Sequence, residues 1–298
     1  MKENILNIET IHECNCCLGY KTLHPLVSVI DLEQANLEQC TIKFDFYTII
    51  MIQGEVEDFL YGRKYYDYSN ASLLFLTPGE SIKIDPNKLL RRKGWLLAFH
   101  PDLLCRTSLG GHIKDYTFFF YKPDEALHLS LREKSKIVDC LHNIGDELEH
   151  SIDCHSKTLI SRHIELLLDY CTRFYERQFI TRCEANKSII LQTNILLDEY
   201  IQSGKMKEGV LPSVEYCAGK LHLSSRYFSD LLYFETGQNI QEYFQLKRLE
   251  ASRRMLLEPG NTAGMVAEKL GYASVQYFSR FFKKITGIAP SDYRLAQN

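Results

Sequence analysis

Along the first 125 residues the apolar positions fall in short runs of Ile, Phe, Tyr and Val, as in TIKFDFYTIIMIQ and ASLLFL. Gly54, Gly62, Asn70 and Pro78–Gly79 break those runs. Short runs rich in β-branched and aromatic residues, separated by turn formers, predict an antiparallel sandwich or small barrel. The period then changes. Ile137, Leu141, Ile144 and Leu148 step by fours and threes, as do Ile160, Ile164, Leu167, Cys171 and Phe174. Such spacing puts each set on one stripe of a helix, over 131–149 and 156–178. Leu159, His163, Leu166 and Tyr170 widen the second stripe. Each helix is expected either to pack on its own sheet or to present a self-association surface as well.

The polar stretch ERQFITRCEANKS is the best place for a boundary, giving a domain over 1–180 and another over 181–298. The second is helical in pattern to its end, and it repeats itself. AGKLHLSSRYFSDLLYFETGQNIQEY and AEKLGYASVQYFSRFFKKITGIAPSDY are two copies of one unit. Ala218 and Leu221 match Ala267 and Leu270 at an offset of 49. Tyr227-Phe228-Ser229, Thr236-Gly237 and Tyr243 match Tyr277-Phe278-Ser279, Thr286-Gly287 and Tyr293 at an offset of 50. The slip falls in the turn before Ser225 and Ser274, where an insertion is easiest to absorb.

Each copy has the layout of a helix-turn-helix: a first helix with a small residue at the close approach, a turn, a capping serine, a second helix and a terminating glycine. Phe228, Leu231 and Leu232, like Phe278, Phe281 and Phe282, are expected to face inward. Val275, Gln276, Ser279, Arg280 and Lys283 then lie outward, where a recognition helix meets base edges and phosphates. Between the copies, IQEYFQLKRLEASRRMLLEPG predicts one helix of about 18 residues, roughly 27 Å long at 1.5 Å per residue. That length approaches the ~34 Å between successive major-groove turns. Lys247, Arg248, Arg253 and Arg254 on this helix are expected, for about half of them, to form a solvated face paired with Glu250 and Glu258.

Charge sharpens this picture. The net charge is −3, but residues 1–186 hold 21 basic and 27 acidic side chains and residues 187–298 hold 14 and 11. From Ile240 onward there are 9 basic and 5 acidic residues, so a polyanionic partner is indicated for the end of the chain. The start of the chain lacks the apolar core of an export signal, and no run is long enough to cross a bilayer. The ten cysteines are therefore expected as reduced thiols in a cytoplasmic protein without membrane contact. His12, Cys14, Cys16 and Cys17 in IHECNCCLGY are candidates for soft-metal or oxidation sensing, although their spacing is poor for tetrahedral zinc. No phosphate loop, paired Cys-x-x-Cys or nucleophile elbow is present. The chain is read as a non-enzyme, with no catalytic residue, metal or cofactor assigned.

The tandem units resemble the DNA-binding domain of the AraC/XylS family of bacterial transcription regulators, from Ile189 to Tyr293. GYASVQYFSRFFKKITGIAPSDYR follows the family signature of glycine–aromatic, serine, phenylalanine–serine–arginine, phenylalanine–lysine, glycine and proline, ending in tyrosine–arginine. The resemblance implies double-stranded DNA as partner, contacted from the second recognition helix by Val275, Gln276, Ser279 and Arg280. Ser274, Lys283 and Lys284 complete the candidate set there, and Arg226 and Ser229 stand for the first unit. At the position matching Arg280 the first unit has Asp230, where a basic residue is common in the family. Tyr233 and Phe234 stand where the second has Lys283 and Lys284.

The implied whole is an α+β protein: a β-rich cupin-like sensor domain with two helices, then an all-α domain of two helix-turn-helix units joined by a long helix. It also implies an activator acting with RNA polymerase, a homodimer, and a front domain that answers to a small-molecule effector. Two alternatives stand for the front domain: a purely oligomerising or partner-docking module, or a metal or thiol redox sensor. Tyr61, Tyr65, Tyr66 and Tyr68 are candidate pocket residues or ordinary sheet residues. Metal-binding cupins cluster histidines where this chain has Ser81 and Lys83, with only His100 and His112 following, so a metal-dependent cupin enzyme is not expected.

Overall fold

Among the described residues, eight strands form in the first half of the chain: β1 (Ile5–Ile8), β2 (Val27–Asp31), β3 (Cys40–Phe44), β4 (Tyr47–Ile52), β5 (Ala71–Leu76), β6 (Ser81–Ile84), β7 (Gly94–Phe99) and β8 (Leu127–Leu129). The computed structural model describes residues 5–33, 40–53, 62–65, 67–84, 93–208 and 211–297. It divides into two compact units, Met1–Arg182 and Cys183–Asn298. In the first, a three-stranded sheet (β1-β3-β6) and a five-stranded sheet (β2-β7-β4-β5-β8) are built. Only β1 and β3 pair in parallel; the other ladders are antiparallel.

The five-stranded sheet is covered on both faces. Ile50, Ile52, Leu74, Leu76 and Leu96 point toward the three-stranded sheet, where Ile42, Phe44 and Ile82 meet them. The alternate residues Ile49, Met51, Leu73, Phe75, Leu97 and Phe99 join a second core with two helices, α4 (Leu131–Glu149) and α5 (Ser156–Thr181). Burial on both faces explains why these strands read as continuous apolar runs rather than as alternation.

The helix stripes lie where the spacing puts them. Ile137, Leu141, Ile144, Ile160, Ile164, Leu167 and Cys171 are all buried. Of the residues that widen the second stripe, Leu159 and Leu166 remain 42% and 44% exposed, while Tyr170 packs at the edge of the core with Lys136 over its ring. α5 runs to Thr181, three residues past the expected end, and its polar last turns are used internally. Gln178 accepts from the His128 amide and donates to the Ala126 carbonyl, holding β8 to the helix.

The front of the chain departs from a purely β reading. Residues Ile11–Leu18 form α1, capped by Thr10 and Glu13 reciprocally and ended by left-handed Gly19. Two short helices, α2 (Pro101–Leu104) and α3 (Ser108–His112), follow β7. Tyr65 and Tyr68 lie in the β4–β5 connection rather than in a strand; Tyr65 is 89% exposed and Tyr68 lies under the Arg177 guanidinium. Tyr61, Tyr66 and Gly54 lie outside the described residues.

The second unit has one core. It contains α6 (Cys183–Gln202), α7 (Val214–Lys220), α8 (Ser225–Thr236), α9 (Ile240–Leu257), α10 (Ala263–Lys269), α11 (Val275–Thr286) and α12 (Pro290–Gln297). Phe228 and Leu232 of one copy and Phe278 and Phe282 of the other share a cluster with Phe244, Leu249 and Leu256 of α9. The long helix is therefore a buried spine, not a free spacer.

One polar cluster in the first unit carries a pH consequence. Arg182 donates two hydrogen bonds to Asp67, at 2.9 and 2.7 Å, and both side chains are buried. Beside them His128 is fully buried; its Nδ1 lies 2.8 Å from Ser72 Oγ and its Nε2 has no partner among the described residues. Burial, with Arg182 next, pushes its pKa down to about 4. The unfolded chain binds the proton near the ordinary value of about 6.5, so the stabilisation is complete above that pH and is lost as pH falls toward 4. Denaturant titrations of wild type should lose on the order of 1 kcal/mol per pH unit within this window. His128→Gln should flatten that slope; an unchanged slope would remove His128 as its origin.

Candidate nucleic-acid interface

The two second helices are set by the same local chemistry. Ser224 Oγ accepts from the Tyr227 amide and Ser274 Oγ from the Tyr277 amide, each at 3.1 Å. Gly237 and Gly287 end the helices in the left-handed region with amide bonds back to Tyr233 and Lys283. The caps thus match at an offset of 50, and the capping residue of the first copy is Ser224 rather than Ser225. The extra residue of the second copy is Ala273, since Leu223 and Tyr272 still bond in register to Ala218 and Ala267. Ala218 and Ala267 are buried where each pair of helices meets.

The turns between the helices need a positive φ in both copies, at His222 (60°) and Gly271 (65°). They are not equivalent. A Cβ on Gly271 would stand 2.1 Å from the carbonyl oxygen of Met206, in the short turn after α6. The second helix-turn-helix is therefore pressed onto that turn by the absence of a side chain.

α11 is sharply two-sided. Phe278 and Phe282 are fully buried and Phe281 is half-buried. Val275, Gln276, Arg280, Lys283 and Lys284 are exposed, while Ser274 and Ser279 are half-buried on the same outer side. Among the described residues, the side chains of Gln276, Ser279, Arg280, Lys283 and Lys284 are engaged in no hydrogen bond or ion pair. Val275 to Thr286 contains no acidic residue. These are donors held on a preformed surface, with three cations that no local carboxylate neutralises.

α8 presents a different surface. Arg226 is exposed and Ser229 and Asp230 are half-buried, while Tyr233 and Phe234 stand 64% and 41% exposed. Glu235 accepts from Asn186 of α6. One cation and two carboxylates thus share a helix whose counterpart carries three cations.

Two features were not visible in the sequence pattern. Arg248, expected with the solvated basic residues of α9, is buried. Its guanidinium lies 3.9 Å from the Tyr272 ring centroid, donating to the Leu270 carbonyl at 2.7 Å and to Gln245 at 3.1 Å. Burial lowers the pKa of Arg248 and raises that of Tyr272. Lys247 does pair with Glu250 as expected, whereas Arg254 reaches across to Asp198 of α6. The second feature is Tyr277, which is 53% exposed and stacked on Phe281, although its repeat partner Tyr227 is 3% exposed. It adds an aromatic hydroxyl beside Gln276.

Among the described residues the histidines and thiols of the first unit gather into no metal-holding group. His100 accepts from the Asp102 amide and His112 pairs with Glu165. On α1, Cys14 is buried with its thiol pKa pushed up to about 12, while Cys16 lies 3.6 Å from His12 and Cys17 is exposed. Among the described residues no group of three or more metal-ligating side chains comes together, and no helix is long and apolar enough to cross a membrane.

Residues 217–296 match the model of a helix-turn-helix domain family. Over 73 residues the chain is 38% identical to the uncharacterized HTH-type transcriptional regulator YobQ of Bacillus subtilis, covering 24% of this chain and 30% of that one. Over 100 residues it is 30% identical to the bifunctional transcriptional activator/DNA repair enzyme AdaA of the same organism, covering 33% and 46%. The chain thus spans less than half the length of either relative. The C-terminal domain of the two-component response regulator yesN from Fusobacterium nucleatum is 30% identical, with 33% of this chain and 94% of that chain covered and a TM-score of 0.27. The C-terminal unit is thus of the AraC/XylS type of helix-turn-helix DNA-binding domain found in transcriptional regulators.

Proposed function

We propose that this regulator reads its operator mainly through α11 and that the first unit answers a signal. The observation that carries the first part is the asymmetry between the two matched helices. Arg280, Lys283 and Lys284 stand exposed on a helix without carboxylates, with Gln276 one turn before Arg280. Arginine and glutamine in that relation suit bidentate contact with guanine and adenine edges, and the lysines suit flanking phosphates. Val275 suits contact with a thymine methyl, and Ser274 and Ser279 suit phosphate or base. On α8, Arg226 and Ser229 take a supporting part. Asp230 replaces a donor with an acceptor that phosphates repel, and Tyr233 and Phe234 replace the two lysines.

The first unit is proposed to dimerise through α4 and α5, supported by the exposed Leu159 and Leu166 on a stripe otherwise buried. Control of RNA polymerase as an activator, in the cytoplasm, is part of the proposal and is supported by the resemblance of the C-terminal unit. A purely oligomerising front domain is the second reading, favoured by the many apolar side chains buried between its two sheets.

Two experiments check these readings. A duplex selected from a random pool by the full chain serves as operator, with a scrambled duplex as control, at fixed salt. Arg280→Ala should weaken operator binding by about tenfold or more, the loss of one good base contact at ~1–3 kcal/mol. Asp230→Ala should leave scrambled-duplex affinity unchanged or raise it. Operator loss in Asp230→Ala with retention in Arg280→Ala would make α8 the principal reader. A salt series should give a slope of log affinity of about −0.9 per phosphate neutralised, and a slope near zero would remove DNA binding altogether.

For the dimer, Leu166→Glu with Tyr170→Glu should give monomers in sedimentation while circular dichroism stays native. A folded dimer would place the interface elsewhere.

A further inference from the structure

The first unit contains a cavity of about 360 Å³ at one end of the five-stranded sheet. Its origin is topological. β8 pairs with β5 only from Ala71 to Leu73, after which residues 121–126 turn away through a short 3-10 helix at Pro123–Glu125. The second half of β5, Leu74 to Leu76, keeps its ladder to β4 but has no strand on its other side among the described residues. Alternate residues of an antiparallel strand direct N–H and C=O toward each side, so backbone donors and acceptors face this space.

The walls are of two kinds. One is aromatic: Phe75, Phe118, Tyr121 and Tyr175 line it, with Phe118 stacked on Tyr175 and Tyr121 set edge-on to Tyr175. The other is aliphatic, made by Leu76 and Ile82. At the rim stand Ser81, Glu80 and Lys122, an acid and a base of opposite sign. Tyr175 lies on α5, whose chain runs through Arg182 directly into α6.

We propose that this cavity is the effector site and that it takes a compact, uncharged aromatic molecule with hydrogen-bonding groups along one edge. The proposal rests on the reading of the first unit as signal-responsive. The volume falls within the range of small-molecule pockets, about 300–1,000 Å³. Ring faces pack between the aromatic and aliphatic walls, the polar edge completes the open half of β5, and the balanced rim charges favour no net charge on the ligand.

The test uses the full chain and N-phenyl-1-naphthylamine, a neutral aromatic amine whose emission rises in apolar surroundings. One saturable site per chain is expected. Ser81→Trp fills the rim from an exposed position, and Tyr121→Ala removes one aromatic wall. Each should weaken the probe by about tenfold or more. Should Ser81→Trp not fold, as judged by circular dichroism, Tyr121→Ala decides. Probe affinity unchanged in the folded variants overturns the site. Binding of the anionic 8-anilinonaphthalene-1-sulfonate at this site without binding of the neutral amine overturns the ligand class. Operator affinity is measured with and without probe. If the probe binds in the cavity but leaves operator affinity unchanged, the effector role is overturned although the cavity is a binding site. DNA binding by both variants without probe, equal to wild type, shows that failure of this proposal leaves the regulator reading intact.

Discussion

A buried guanidinium organises the DNA-binding unit. Arg248 projects from the spine helix α9 into the space beneath the second helix-turn-helix. There it covers the Tyr272 ring and caps the carbonyl of Leu270, the residue at which α10 stops. Taking a guanidinium out of water is costly, and here the cost is offset by a cation–π contact and two hydrogen bonds, with Nε left without a partner among the described residues. The compensation exists only if the α10–α11 turn sits where it does. The orientation of α11, and hence of Gln276 and Arg280, depends on that one cation being satisfied.

The sequence was most legible where periodicity does the work. The stripes of α4 and α5, the duplicated units and the capping Ser274 follow from spacing that only a helix can use, whereas the cap of the first copy is one residue earlier than that spacing suggested. It was least legible where a side chain takes its role from a distant partner. Arg248 has the composition of a solvated face, and nothing local distinguishes it from Lys247, which does pair with Glu250 on the surface. Tyr227 and Tyr277 align across the repeat, but one is buried and the other exposed. The helix α1 was hidden for a different reason. Its cysteines drew a chemical reading, while Thr10, Glu13 and Gly19 already carried its start and stop signals.

The two units reach stability by different routes. In the first, one sheet is shared between two cores, so each strand of its centre is read on both faces and a register slip would exchange the two sets between cores shaped for different side chains. In the second, a single cluster serves both helix-turn-helix copies, and neither has a core of its own. The first unit also keeps charge inside, at Asp67 and Arg182, which the second unit does with Arg248 alone among the described residues.

The turn at Gly271 makes the duplication directional. Glycine at position 222 of the first copy would adopt the positive φ of that turn without strain. Moving histidine the other way would drive a Cβ into the Met206 carbonyl and lift the second helix-turn-helix from its seat. The copies share one pattern, yet at this turn glycine suits both and a side chain suits the first alone.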